Sequence, residues 1–222
     1  MAKPRRLTLS TNPKKEELSE LRLGDVVYLD GTIYTAREGV YKRALEDKAN
    51  LPVDLPHRSA ANFHCSPAAS MNLDGSFNLG SVTATASFRF SKWIGQWLSQ
   101  SGAKLIIGKG GMSAEDYKRH FVPNGAIYLT TVGYGTGALL GRGVEKVSGV
   151  YWHSELGLAQ AMWVIDVKQM GPFMVESDLM GNSLFERENR KVAEGIGKLY
   201  EGTKPATLKR YGETDNRSDE LI

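Results

Sequence analysis

Between Ser81 and Met112 the chain reads SVTATASFRFSKWIGQWLSQSGAKLIIGKGGM: a small-residue turn carrying Thr85 and Arg89, an amphipathic run, an apolar run and the glycine-flanked Lys109. Phe90, Trp93, Ile94, Trp97 and Leu98 recur at helical spacing, which predicts a helix from Ser87 or Phe88 that ends by Gly102. Leu105-Ile106-Ile107 then reads as a buried strand. Strand, crossover helix and parallel strand is the economical arrangement, because a helix of this length can return the chain to the same edge of a sheet. Thr85 and Arg89 are thereby expected at the helix start, and Lys109 just past the C-terminal end of the next strand. Such places gather ligands, since free backbone N–H groups at a helix start favour an anion. The ligand this implies is small and negatively charged.

Outward from that stretch, Lys14 to Arg22 is a short charged helix candidate. VVYLDGTIYTA, after Asp25, is β-rich and interrupted by Asp30-Gly31, so it reads as two strands or one bent strand, with Arg37 at its end. Glu38 to Lys48 is a helix, Leu51 to Pro56 a connector, Ala60 to Cys65 a strand, and Ser66 to Gly75 a polar loop before a strand leading into Thr83. Beyond the central stretch, Ser113-Ala114-Glu115-Asp116 supplies an N-cap and acidic residues that oppose the helix macrodipole favourably. Asn124-Gly125 turns the chain into AIYLTTV, and strands follow at Gly149 to Trp152, Ala161 to Val167 and Pro172 to Glu176. Glu188 to Tyr200 is a final helix. The expected organisation is one domain over residues 1–202 with a polar tail over 203–222.

The bulk composition, 222 residues with 41% hydrophobic and 24% charged, is that of a globular chain with one sizeable core. A formal charge of +3, spread rather than clustered, argues against a nucleic-acid surface. No window approaches the roughly 20 apolar residues of a membrane span, and no secretory signal is visible. A single cysteine, Cys65, excludes an internal disulfide and a Cys-rich metal site supplied by this chain alone, which fits a reducing cytoplasm. His57, His64, His120 and His153 lack the spacing of a zinc pair, so no metal site is expected in this chain.

Two glycine-rich motifs have plainer readings. Gly133-Tyr134-Gly135-Thr136-Gly137-Ala138 fits a loose dinucleotide pattern, but among 24 glycines such a match arises by chance, and a turn packed tightly under a strand is preferred. Gly108-Lys109-Gly110 lacks the Ser or Thr and the leading glycine of a phosphate loop, which excludes a nucleoside triphosphatase of that type.

Four blocks in order, LGDVVYLDGTIYTAREGVYKR, GKGGM, FVPNGAIYLTTVG and SELGLAQAMWVIDV with GPFMVESDLMGNSLFE, resemble the β subunit, or C-terminal domain, of the class I iron–sulfur hydro-lyases, fumarase and L(+)-tartrate dehydratase. The resemblance covers roughly residues 15 to 186. It implies an α/β fold, a swivelling β/β/α domain with a mixed sheet. It also implies a partner α subunit that holds a [4Fe-4S] cluster through three cysteines, in an α2β2 assembly, with a small 2-hydroxy dicarboxylate as substrate. Malate/fumarate comes first, with L-tartrate and citramalate/mesaconate behind it. Thr85 and Arg89 keep the family's four-residue separation, with Lys109 at the matching interval and Arg37 matching the arginine of Thr-x-Arg-Asp. By resemblance, Thr85 moves the proton together with an aspartate of the partner, and Arg37, Arg89 and Lys109 bind carboxylates. The sequence departs from the family at Ser81-Val82-Thr83-Ala84, at Glu38 for the usual aspartate, at Tyr41 for the usual histidine, and at His64-Cys65-Ser66-Pro67. A rival of another class is a non-catalytic carboxylate- or nucleotide-binding module on the same fold.

Overall fold

Short runs of β-branched and aromatic residues build nine strands among the residues that the computed structural model describes, 4–133, 135–199 and 202. They are Arg6–Ser10 (β1), Val26–Thr35 (β2), Ala61–Phe63 (β3), Cys65–Met71 (β4), Phe77–Ala84 (β5), Leu105–Gly108 (β6), Ile127–Thr131 (β7), Val144–Tyr151 (β8) and Met162–Val175 (β9). Seven of them form a mixed sheet in the order β1-β2-β3-β6-β7-β9-β8, and β2 also pairs antiparallel with β9, Tyr34 opposite Val164. The ring β2, β3, β6, β7 and β9 therefore closes as a small barrel, which leaves fewer open edges for stray pairing. The chain is thus mixed α/β.

The pleat sorts the side chains of the parallel strands into two layers. Phe63, Ile107 and Leu129 lie in register and point into the barrel with Ala61, Leu105, Ile127, Ile165 and Phe173. Asn62, Ile106 and Tyr128, also in register, face the other way. Against that outer face lies a 3-10 turn, Ser87–Phe90, running into an α-helix, Ser91–Ser101, which ends at Gly102 in the left-handed conformation, φ 69°. Trp93 and Trp97 of this helix join a cluster with Tyr34, Tyr41 and Phe90, while Ile94 and Leu98 pack with Ile106, Tyr117, Phe121 and Tyr128. The helix thus straddles two clusters. Each such large apolar side chain contributes on the order of 1.5–3 kcal/mol by leaving water.

The central stretch differs from expectation in one respect. The strand before the helix, β5, belongs to a separate two-stranded antiparallel sheet with β4, and the parallel neighbours of β6 are β3, which precedes it in the chain, and β7. The crossover runs from β3 to β6, with a hairpin inserted before the helix. Residues 66–75, read as a polar loop, supply most of that hairpin instead, because backbone pairing between Ser66 and Thr83 and between Ser70 and Asn78 needs no apolar side chains. Only the tip about Asn72–Ser76 turns.

VVYLDGTIYT is one bent strand, with register shifts on either side of Leu29 where it meets β9. The helix after Arg37 is α-helical over Glu38–Tyr41 and π-helical over Lys42–Glu46. Ser113 forms the expected cap, its hydroxyl accepting from the Asp116 amide. The glycine-rich 137–141 segment is a short helix against β5: a Cβ on Gly141 would lie 2.6 Å from the Gly80 carbonyl, so the close packing requires glycine.

The chain divides into two units, Met1–Phe185 and Glu186–Ile222. The first holds the sheet. In the second, the helix Leu184–Leu199 continues with exposed Val192, Ile196 and Leu199, and with surface pairs Arg190–Glu186 and Lys191–Glu188. The expected tail, 203–222, lies outside the described residues. No helix among the described residues is long and apolar enough to cross a membrane.

Candidate active-site rim

β2, β3, β6 and β7 run parallel, so their C-terminal ends meet along one rim of the barrel. In α/β sheets such rims are where ligands bind. Arg37 follows β2, His64 follows β3, Lys109 follows β6, and the β4–β5 hairpin leaves from the end of β3 and returns beside the end of β6. Backbone hydrogen bonds tie this junction in sequence. The His64 amide donates to the Ile107 carbonyl at 2.7 Å, the Thr85 amide to the His64 carbonyl at 2.6 Å, the Lys109 amide to the Thr85 carbonyl at 3.2 Å, and the Ser87 amide to the Lys109 carbonyl at 3.3 Å. Ala86 and Lys109 form a parallel bridge. Thr85 and Lys109, far apart in sequence, are thereby stitched together.

Thr85 is buried, Lys109 half-buried and Arg89 exposed. The Arg89 guanidinium lies 5.9 Å from the Phe90 ring centroid. Arg37 is half-buried; its Nη1 donates to the Ala159 carbonyl at 2.8 Å, while its buried Nε has no partner among the described residues. Burial first, and then the neighbouring Arg89 guanidinium, lower the Arg37 pKa from its ordinary value. An anion bound between the two guanidinium groups would relieve their repulsion. The adjacent Glu38 carboxylate is already engaged by Lys42 at 2.7 Å. Beside Lys109 an open cavity of about 280 Å³ is lined by Lys109, Gly110, Thr130, Thr131, Met174 and Phe185.

Below the rim lies a buried polar chain that the sequence reading did not assemble. Tyr128 Oη donates to Ser87 Oγ at 2.6 Å, Ser87 Oγ meets His64 Nδ1 at 2.7 Å, His64 Nε2 meets Tyr41 Oη at 2.6 Å, and Asn62 Nδ2 donates to Tyr41 Oη at 2.9 Å. The sequence signal was available: Asn62 and His64 alternate as polar residues in an otherwise apolar run, which places both on one face of a strand. Nearby, buried Glu176 accepts from the Ser183 hydroxyl at 2.6 Å, and burial raises its carboxyl.

The residues of this chain do not fit an iron–sulfur cluster. Cys65 is buried and burial pushes its thiol up, so it stays protonated, whereas a cluster ligand must be a thiolate. Among the described residues no three His, Cys, Asp or Glu side chains are grouped to hold a metal ion.

Residues 1–188 match the family model described as Fumarase C-terminus. The L(+)-tartrate dehydratase subunit beta of Escherichia coli strain K12 is 35% identical over 188 residues, covering 84% of this chain and 90% of that protein. A Methanocaldococcus jannaschii protein provisionally given the same name is 35% identical over 188 residues, 83% of this chain and 94% of its own length. A provisionally named class I fumarate hydratase of Geobacillus stearothermophilus is 30% identical over 195 residues, which are 88% of this chain and 36% of that longer protein.

Proposed function

The chain belongs to the Fumarase C-terminus family, and from that premise we propose that it is the β subunit of a two-subunit [4Fe-4S] hydro-lyase that adds water to, or removes it from, a small 2-hydroxy dicarboxylate. The observation that carries this reading is the rim itself. Parallel pairing of β2, β3 and β6 brings Arg37, Thr85 and Lys109 to one end of the barrel, with Arg89 close enough to perturb Arg37. Arg37, Arg89 and Lys109 hold the two carboxylates and stabilise the charge that develops on one of them. Thr85 moves the proton at the carbon next to the one bearing the hydroxyl. In the dehydration direction the C–H electron pair becomes the double bond while the C–O bond breaks and hydroxide leaves.

A threonine hydroxyl is a poor base at neutral pH and needs a carboxylate to relay its proton. Glu38 is engaged by Lys42 and Glu176 by Ser183, and the family resemblance assigns the relay carboxylate to an aspartate of the partner α subunit. By the same resemblance the cluster belongs there too, in an α2β2 assembly, in keeping with the single buried cysteine of this chain and with the lack of a metal-holding group among the described residues. Malate/fumarate is the first candidate substrate. L-tartrate is the second, favoured by the 35% identity to relatives named for it.

The experiment is an anaerobic co-purification with a cluster-loaded α subunit, assaying fumarate hydration, mesaconate hydration and oxaloacetate release from L-tartrate. Activity that needs both chains supports the reading and identifies the diacid. A chain that binds no α subunit and turns over nothing is the non-catalytic module instead.

A further inference from the structure

Five polar side chains, Tyr41, Asn62, His64, Ser87 and Tyr128, have no solvent exposure at all. Taking that many polar groups out of water is costly unless each is satisfied, and an apolar core of the same shape is commonly as stable or more so. Their places in the chain suggest what the cost secures. Tyr41 lies one helical turn after Arg37, His64 bridges Ile107 and Thr85 through its own backbone, Ser87 sits between Thr85 and Arg89 with its amide on Lys109, and Tyr128 reaches across from β7. Each member therefore abuts a segment that carries a candidate site residue.

With the Asn62 amide donating to Tyr41 Oη, the Tyr41 proton goes to His64 Nε2 and the imidazole proton resides on Nδ1, donated to Ser87 Oγ, while the buried Asn62 Oδ1 has no partner among the described residues. Tyr128 donates to the same Ser87 oxygen. Ser87 Oγ thus takes two donors, His64 Nδ1 and Tyr128 Oη, with Gly108 alongside leaving no room for a Cβ, which would lie 2.1 Å from Ser87 Oγ. Aromatic contacts lock the imidazole and phenol planes: Phe90 is edge-on to His64 at 4.9 Å, and Trp97 to Tyr41 at 4.9 Å.

We propose that the buried chain Tyr41–His64–Ser87–Tyr128 is a positioning network that sets the Thr85–Lys109 junction for proton transfer, with no direct contact to substrate. The proposal rests on the reading of Thr85 as the proton-moving group. A hydroxyl displaced by about 1 Å loses on the order of a hundredfold in rate, and a network that acts on the transition state alone lowers kcat while leaving KM in place.

The test uses the α–β complex with Tyr41→Phe, Tyr128→Phe, Tyr41→His and the exchange Tyr41→His/His64→Tyr, each variant keeping a ring in its cavity. The phenylalanine variants are expected to lose roughly tenfold to a hundredfold in kcat with KM for the diacid within threefold. The exchange, which restores a phenol–imidazole pair, should recover most of what Tyr41→His alone loses. Phenylalanine variants with wild-type kcat, or losses seen only in Tm, overturn the proposal. In parallel, nitrogen NMR of the full chain is expected to show the Nδ1–H tautomer of His64, and the Thr85 methyl signal should move in Tyr128→Phe. If the wild-type complex turns over no diacid, the functional reading has failed and the role in proton transfer falls with it; the Thr85 signal then separates the two, an unmoved signal overturning the coupling of the buried chain to Thr85 and a shifted one retaining that coupling alone.

Discussion

Arg89 and His64 show how differently two residues near one junction behave. Arg89 is exposed, so its replacement by alanine should leave stability within about 0.5 kcal/mol. Loss of a charge-assisted carboxylate contact should cost about 1.5–3 kcal/mol in transition-state binding, roughly tenfold to a hundredfold in kcat/KM. Melting curves beside steady-state kinetics on the complex check both halves, and a large fall in Tm with unchanged kcat/KM would make Arg89 structural. His64 is the reverse case. Burial pushes its pKa down to about 3, against about 6.5 in an unfolded chain. The folded state holds the neutral ring while the unfolded chain takes up a proton, so stability is full above pH 6.5 and falls as the pH drops towards 3. The slope is about 1.4 kcal/mol per pH unit for this one group. Tyr41, in contact with it, and Tyr128, which reaches it through Ser87, are raised by burial and stay uncharged throughout. Denaturant titrations at pH 6.5 and 4.5 should show a smaller acid loss in His64→Asn than in the wild type.

The elements were legible to different degrees. The helix over residues 91–101 follows from five apolar residues at helical spacing, and Gly102 ends it as expected, because both signals are local. The partner of β6 was not legible. β3 is three residues long, and its pairing depends on a hairpin that the intervening sequence disguises as a polar loop. Gly108 is where the element and the buried network meet. An alanine there would place Cβ 2.1 Å from Ser87 Oγ and 2.6 Å from Tyr128 Oη, neither of which can withdraw without breaking the chain to His64. Gly108→Ala should therefore destabilise the fold by about 1–3 kcal/mol, the usual cost of overpacking, readable as a lower urea midpoint at unchanged m-value.

For the whole molecule, Arg37, Arg89 and Lys109 make no ion pair with a carboxylate among the described residues, and the proposed α subunit would supply the surface that closes over them. Phe88 is 62% exposed between Thr85 and Arg89, so a partner that covers the proposed site would meet it. Hydrogen exchange on the α–β complex should show slowed exchange at Phe88, Arg89, Gly110 and Gly111 relative to the free chain. Unchanged rates there would place the α subunit elsewhere. Tyr41 and His64 also meet only at this scale: they are far apart in the chain and 2.6 Å apart in space.

What the sequence determined by itself was everything carried by local pattern or by a run of matched motifs: the alternation of strands and helices, the caps at Ser113 and Gly102, a single cysteine, and membership of the Fumarase C-terminus family. The closure of β2 onto β9, the true neighbour of β6 and the buried chain beneath Thr85 were decided by tertiary structure alone. The physical reason is range. Helical and strand periodicity is set within a few neighbouring residues, whereas a hydrogen bond between His64 and Ser87, or between Tyr128 and Ser87, exists only after separate strands have been brought into register.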